Sequence, residues 1–427
     1  MPTPSLLIVP ARFKTGTLYS QIPVPVAPST SSVGDFTVTR NTAARRFDSA
    51  GLVASVASGI PRLDYFTSGG VTGCPALLVE PSGTNLALQS ENFLTTWAQT
   101  NLVITTGFTS PSNNSNGTLI EADANTGRLR QTIAAITSGT THTFSLFAKA
   151  GNLALASGVS LTIQEGTGTN FVSGVVQSFR LDTGMLGASG TLGAGFTLTR
   201  ASIDNYGNGW YRCNMTVTAS YTPASANLTI RPTSTIVANL PATVSGGTAY
   251  IWGAQLETGS VATSYIPTTT GTGSRSADVI SVTGAVSGSI GQTEGTLYAD
   301  LTYLFKGSSS ASRWLQLFGA SNNIGLAIAT TNVVRSIVNG QSDILSLAPE
   351  TTGAIKIAWA YDGTGTAFFI NGTKVALSNG GAQTMSSLTS LSISGSDNPQ
   401  LANARIRAIA LYTTRLTDDE LITLTTL

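Results

Sequence analysis

The sequence predicts an all-β protein: an irregular N-terminal segment, two β-sandwich (jelly-roll) domains, and a short C-terminal helix. Three observations carry that prediction. Apolar and polar residues alternate with a period of two in several segments, as the two faces of a strand require. Gly, Asn, Asp, Ser and Pro break these segments at short intervals, the punctuation expected of sandwiches and barrels. Only 10% of the 427 residues are charged, against about 25% in an average soluble protein, and Thr, Ser, Asn and 45 glycines stand in their place. A β-branched Thr is stiff at χ1 and suits the pleat, and its hydroxyl meets water without the side-chain entropy of Lys or Glu.

Taken in chain order, residues 1–88 carry prolines at positions 2, 4, 10, 23, 25, 28, 61, 75 and 81. That density disfavours central strands and favours extended segments lying over another surface. Residues 89–274 form the first sandwich. Phe144, Leu146 and Ala148 face inward there, with Thr143 and Ser145 outward. Tyr211, Cys213, Met215 and Val217 alternate in the same way with Arg212, Asn214 and Thr216. The stretch PTTTGTGS at 267–274 is a linker by composition.

Residues 275–427 form the second sandwich. Leu297, Ala299, Leu301 and Tyr303 share one face of a half-buried strand, with Thr296, Tyr298, Asp300 and Thr302 on the other. A hairpin follows within 354–377. Ile355, Ile357 and Trp359 alternate, residues 362–365 turn, and residues 367–370 return. Asn371 and Gly372 tolerate the positive φ of a second tight turn. Thr417 and Glu420 make a capping box, with Asp418 and Asp419 in the first helical turn, where the dipole favours negative charge. Leu421 and Leu424 then pack on the sandwich. No repeat of fixed period supports a solenoid or propeller.

Composition excludes several function classes. Twenty-two basic and 21 acidic residues leave a net charge of +1, with neither the basic face that nucleic acid calls for nor a polybasic membrane anchor. No stretch approaches roughly 18 apolar residues, so no membrane span is expected. Residues 1–14 lack the basic n-region and long apolar h-region of a secretory signal. Cys74 and Cys213 are too far apart for a metal-binding knuckle and read as small buried hydrophobes. A Ser-His-Asp triad would have to run through His142, the single histidine, and no His-rich zinc site is expected. Cofactors and metals are expected to be absent.

Cleaving a glycan takes two carboxylates about 5–9.5 Å apart on rigid elements. Asp300, Asp362, Asp397 and Glu294 are present without a pattern that marks a pair, and they read as structural or solvated. The word EGTG at 165–168 is no phosphate loop, because no Lys-Ser/Thr follows it. Gly246 and Gly247 read as a turn. A sugar site combines an exposed aromatic with Asn, Asp or Arg. Trp359 and Trp252 read as core, and Trp97, Trp210 and Trp314 complete the tryptophans. The candidate ligand residues are Trp314 with the loop residues Asn322, Asn323, Asp397 and Asn398, whose oxygens suit sugar or Ca²⁺ but are also ordinary in turns.

Two stretches go beyond composition. The first runs through FTVTR (36–40), Arg45, DSAGL (48–52), IPRLDY (60–65), LLVEP (77–81), TNL (84–86), SENF (90–93) and Trp97. The second is YIWGAQLE (250–257) followed by TSYIPT (263–268). In this order they resemble a family of tailed-bacteriophage virion proteins of the tail-fibre, minor tail or head-fibre type. In that family a carbohydrate-binding-module-like jelly roll lies between the two stretches, and the resemblance covers residues 36–278. Near the C-terminus IAWAYD (357–362), FING (369–372) and residues 406–421 resemble a concanavalin-A-like or laminin-G-like sandwich, a pattern that speaks to fold rather than ligand.

The resemblance implies a non-enzymatic virion protein assembled in the host cytoplasm. Its residues 1–88 would attach to other virion proteins, and residues 275–427 would point outward to a host-surface glycan. It also implies a homo-oligomer, a trimer by analogy with fibres. The alternatives are a purely structural capsid or tail decoration without a receptor and, ranked below that, a glycan depolymerase.

Overall fold

The computed structural model of the chain describes residues 2–22, 33–67, 70–134, 136–166, 173–233, 235–237, 240–305, 312–319, 323–328, 334–338, 341–344, 353–377, 387–393 and 403–427. Two six-stranded antiparallel sheets make the first sandwich. One is ordered Ala98–Thr100, Arg128–Ile133, Ala226–Thr233, Gly158–Glu165, Gly174–Arg180 and Met185–Leu192. The other is ordered Leu102–Phe108, Gly117–Ala122, Thr248–Thr258, Thr141–Ala150, Trp210–Ala219 and Phe196–Asn205. The predicted alternation places Phe144, Leu146, Ala148, Cys213, Met215 and Val217 in a core with Val159, Leu161, Leu228 and Ile230. Burying a large side chain of this kind stabilises the fold by about 1.5–3 kcal/mol relative to exposing it. The alternating polar residues do not meet bulk water. Thr143, Ser145, Arg212, Asn214 and Thr216 are buried too, because the outward face of this sheet is itself covered.

An eight-stranded and a nine-stranded sheet make the second sandwich. The first is ordered Thr373–Val375, Thr366–Ile370, Gly353–Tyr361, Gly295–Phe305, Asn403–Tyr412, Gly70–Val79 and Leu63–Thr67, with Leu6–Ile8 also paired to Asn403–Tyr412. The second begins with Phe13–Lys14, Thr17–Leu18 and Phe36–Thr39 and continues through Val279–Thr283, Leu388–Ser392, Ser312–Gly319, Asn323–Ile328, Val334–Val338 and Gln341–Ile344. Their common core holds Leu6, Phe36, Val38, Leu77 and Val79 beside Leu297, Ile357, Trp359 and Ile409.

The strand pairing therefore joins what the sequence reading keeps apart. Residues 1–88 read as an irregular segment, yet they supply strands to both sheets built by 275–427. The prolines allow this by their positions. Pro4 and Pro10 flank Leu6–Ile8, Pro61 precedes Leu63–Thr67, and Pro81 follows Gly70–Val79. Pro75 falls between the paired residues Val71 and Ala76. The stretch 267–274 is no free linker either. Thr268 is buried and donates to Ala87 O at 2.6 Å, and Gly273–Arg275 pairs with Gly83–Asn85.

The second face of Gly295–Phe305 is covered as well. Tyr298 is buried with Phe369, Tyr412 and Leu421 beneath the helix Asp418–Thr425. That helix starts with the expected box: Thr417 accepts from Glu420 N, and Glu420 accepts from Thr417 N at 2.9 Å. The hairpin turns at Asn371 (φ 49°) and Gly372 (φ 78°), the left-handed pair that the turn requires. Cys213 is core, whereas Cys74 is exposed, in the part of Gly70–Val79 that lies between paired residues. His142 is buried between Thr140 and Thr258, and burial lowers its pKa. Among the described residues, no helix is long and apolar enough to cross a membrane, and no three of His, Cys, Asp and Glu gather as metal ligands would.

Candidate functional site

A buried ionic joint ties the two sandwiches together. Each member stands at a strand end: Arg40 follows Phe36–Thr39, Arg62 precedes Leu63–Thr67, Glu80 follows Gly70–Val79, Arg275 closes Gly273–Arg275, and Asp278 precedes Val279–Thr283. Arg62 donates to Glu80 Oε2 at 2.6 Å and to Asp278 Oδ2. Arg40 Nη1 lies 3.0 Å from Asp278 Oδ1, and Arg275 Nη1 lies 3.1 Å from Glu80 Oε2. Ser264, just beyond the strand Thr248–Thr258, donates to Glu80 through both N (2.7 Å) and Oγ (2.6 Å). Burial alone would raise the Glu80 pKa. Arg275 and Arg62 overcome it and hold the carboxyl well below the usual carboxylate range.

Neighbouring residues staple the same region. Asn85 Nδ2 donates to Ala254 O and Ile266 O, and its Oδ1 accepts from Ala87 N and Leu256 N, so this buried amide is fully matched. Gln255 donates to Glu257 and accepts from Ile266 N. Gly253 sits at a bulge with φ 65°, where a Cβ would come within 3.1 Å of the Phe147 ring. The sequence words that carry the resemblance thus converge in space.

Beside the joint lies a cleft of about 380 Å³. Its floor is the covered face of Trp210–Ala219 and Phe196–Asn205. The hairpin of Ala44–Phe47 with Val53–Val56 and the residues Asn403 and Arg405 form its other sides. Arg212 lies over the Phe147 ring, 5.2 Å from its centroid, and its Nη2 donates to Ser145 Oγ at 3.1 Å. Asn214 Nδ2 donates to Asp204 Oδ2 at 2.9 Å. Three lining atoms are buried without a partner among the described residues: Arg212 Nε, Asn214 Oδ1 and Asn403 Oδ1. Each unmatched buried group costs about 1–3 kcal/mol, which an incoming ligand or water would relieve.

Phe47 and Tyr206, with ring centroids 4.5 Å apart, supply an apolar wall. Burial pushes the Tyr206 hydroxyl up to about 12. Burial also raises the Asp204 carboxyl above its ordinary value, against the pull of Arg212 and Arg200. The other two lining carboxylates are committed elsewhere. Glu80 belongs to the joint, and Asp64 accepts from Phe47 N at 2.7 Å through one oxygen and from Arg405 Nε at 2.5 Å through the other.

The described lining of the cleft includes none of the ligand residues predicted from sequence. Trp314 lies on the strand Ser312–Gly319, and Asn323 opens the strand Asn323–Ile328 where the sequence reads a loop. Asn322, Asp397 and Asn398 lie outside the described residues, as do the side chains of Trp314 and Asn323. Trp252 and Trp359 are buried as read, and Trp97 and Trp210 join them. Asp300 pairs with Arg407, Asp362 with Arg415 at 3.3 Å, and Glu294 accepts from Arg415 N at 3.2 Å. The residues that do line the cleft include Arg212, Asn214 and Thr216, which the alternation assigns to solvent. Their signal is the size of Arg and Asn at consecutive outward positions of a long strand, where Thr and Ser prevail elsewhere.

No protein-family profile and no curated protein matches the sequence. Solved structures similar in part include the CBM40 module of the Ruminococcus gnavus IT-sialidase bound to α2,3-sialyllactose (16% identity, TM-score 0.28, 32% of this chain and 84% of that one). A second is domain 4 of AbnA, an extracellular arabinanase of Geobacillus stearothermophilus, in complex with arabinotriose (11%, 0.30, 35% and 73%). A third is the heptameric SAP-like pentraxin of Limulus polyphemus (8%, 0.26, 30% and 68%). Each match covers about a third of this chain.

Proposed function

We propose that the chain is a non-catalytic saccharide-binding protein of a phage particle, and that the cleft between its sandwiches takes a hydroxyl-rich ligand. The observation that carries the binding reading is the set of cleft atoms without a partner among the described residues, Arg212 Nε, Asn214 Oδ1 and Asn403 Oδ1, set near the rings of Phe47 and Tyr206. A sugar offers O–H groups to the two carbonyl oxygens, a lone pair to the guanidinium, and a C–H face to the rings. The virion part of the proposal is supported by the ordered words between residues 36 and 278. Copies of the chain on one particle would multiply weak contacts by roughly 10²–10⁴-fold.

Catalysis has less support, because Glu80 and Asp64 are each held by arginine. Incubating the full chain with oligosaccharides cut from bacterial surface polysaccharide tests the proposal. Saturable binding without chain shortening is expected, weakened in Arg212→Ala and Asn214→Ala. Shortened chains would establish a depolymerase instead, and absence of binding across the panel would leave a decoration protein. Immunolabelling of purified particles tests the location: a chain missing from mature particles removes the virion reading.

A further inference from the structure

We propose that the first sandwich carries a second ligand site, on the outward face of its other sheet, that takes the carboxylate or sulfate of an acidic saccharide. This site is separate from the cleft and stands or falls independently of it. Leu129 pairs with Ile230 and Arg130 with Thr229 across the strands Arg128–Ile133 and Ala226–Thr233. Leu129, Leu228 and Ile230 are core, so the same register turns Arg128, Arg130, Thr229 and Arg231 outward, with Arg128 opposite Arg231. The next strand, Gly158–Glu165, places Ser160 opposite Arg231 and Thr162 opposite Thr229. Three arginines therefore stand together over a floor of hydroxyls spanning about 10 Å across the strands.

Among the described residues, the arginines meet no counter-charge: none of the three makes an ion pair. Arg128 donates only weakly, to Thr126 O at 3.4 Å. Among the described residues, the Nε of all three is buried without a partner, as are Thr229 Oγ1 and Gln164 Oε1 on the same face. Thr229, Thr162 and Ser160 are buried, whereas the arginines are half-exposed and so reach solvent with their ends. Burial, with Arg128 and Arg130 adding to it, lowers the Arg231 pKa to about 10, so the three like charges stand at a cost.

Guanidinium groups match planar oxyanions through paired N–H donors, and an oxyanion here would neutralise the repulsion. The unmatched Gln164 carbonyl accepts, and the Thr229 hydroxyl donates or accepts, which suits sugar hydroxyls beside the anion. Those two groups favour an acidic saccharide over a bare inorganic anion.

Calorimetric titration of the full chain tests this with four probes: a galacturonate oligosaccharide, a sulfated galactan oligosaccharide, a neutral galactan oligosaccharide of equal length, and sodium sulfate. At least one acidic oligosaccharide is expected to bind about tenfold or more tightly than the neutral one, and to weaken as salt rises. Which acidic arm binds distinguishes carboxylate from sulfate. Arg231→Gln and Arg130→Gln should each cut that affinity about tenfold. Both should leave the melting temperature of the empty protein unchanged or higher, since each removes an unpaired like charge. The proposal is overturned if neither acidic arm outbinds the neutral one, if sodium sulfate binds as tightly as they do, or if both glutamine variants bind like the parent chain.

Discussion

Glu80, which is buried, and Asp204, which is half-buried, are carboxylates with opposite consequences for stability. Glu80 accepts from Arg62 and Ser264 and is ion-paired with Arg275, and its folded pKa lies below the unfolded value of about 4.3. Its contribution is therefore complete above that value and is lost as pH falls through the range beneath it. Glu80→Gln leaves two buried arginines short of a partner and should cost about 3–5 kcal/mol at neutral pH. Urea midpoints at pH 7 and pH 3 measure this: the parent should lose more stability on acidification than the variant. Asp204 runs the other way. Burial raises its folded pKa, so its contribution is present at low pH and lost as pH rises through that value. Asp204→Asn should raise the melting temperature at pH 7. A fall instead would make Asp204 a structural partner rather than a residue kept in the cleft at a cost to stability.

The elements that read best in the sequence are those whose cause is local. Thr417 and Glu420 meet within one turn, Asn371 and Gly372 form the turn by themselves, and period two places Cys213 and Met215 in the core. What could not be read locally is what covers the opposite face. Tyr298 looks half-exposed along its own strand, yet the helix Asp418–Thr425 closes over it. Arg212, Asn214 and Thr216 look solvated for the same reason, although a hairpin from residues 44–56 lies across them. Thr417→Ala should cost about 1 kcal/mol, seen as a shift in thermal midpoint. Removing residues 416–427 should expose Tyr298, Phe369 and Tyr412 and produce binding of an apolar dye. A truncated chain that stays dye-free would mean the helix is not the cover.

At the scale of the molecule, the chain closes on itself. The strand Leu6–Ile8 pairs with Asn403–Tyr412, and Arg40 reaches Asp278 across 238 positions. Separations of that size leave no periodic trace, which is why Arg40, Arg62 and Glu80 are visible in the sequence only inside the words of a resemblance, without a reason for their charge, and Arg275 and Asp278 lie in none of those words. A fragment of residues 275–427 lacks Phe36–Thr39, Gly70–Val79 and the core side chains they bring. Expressed alone it should be unfolded or insoluble, and co-expression with residues 1–88 should recover it. A soluble fragment with cooperative unfolding would refute the shared core.

The claim that most depends on this architecture is that the space between the sandwiches receives a saccharide. Hydrogen exchange on the full chain, with and without a saturating oligosaccharide, measures that directly. Slowed exchange is expected in Phe196–Asn205, Trp210–Ala219 and the hairpin at residues 44–56, with the oligosaccharide recovered whole. Binding that leaves those three segments unchanged, or recovery of shortened oligosaccharide, would contradict it.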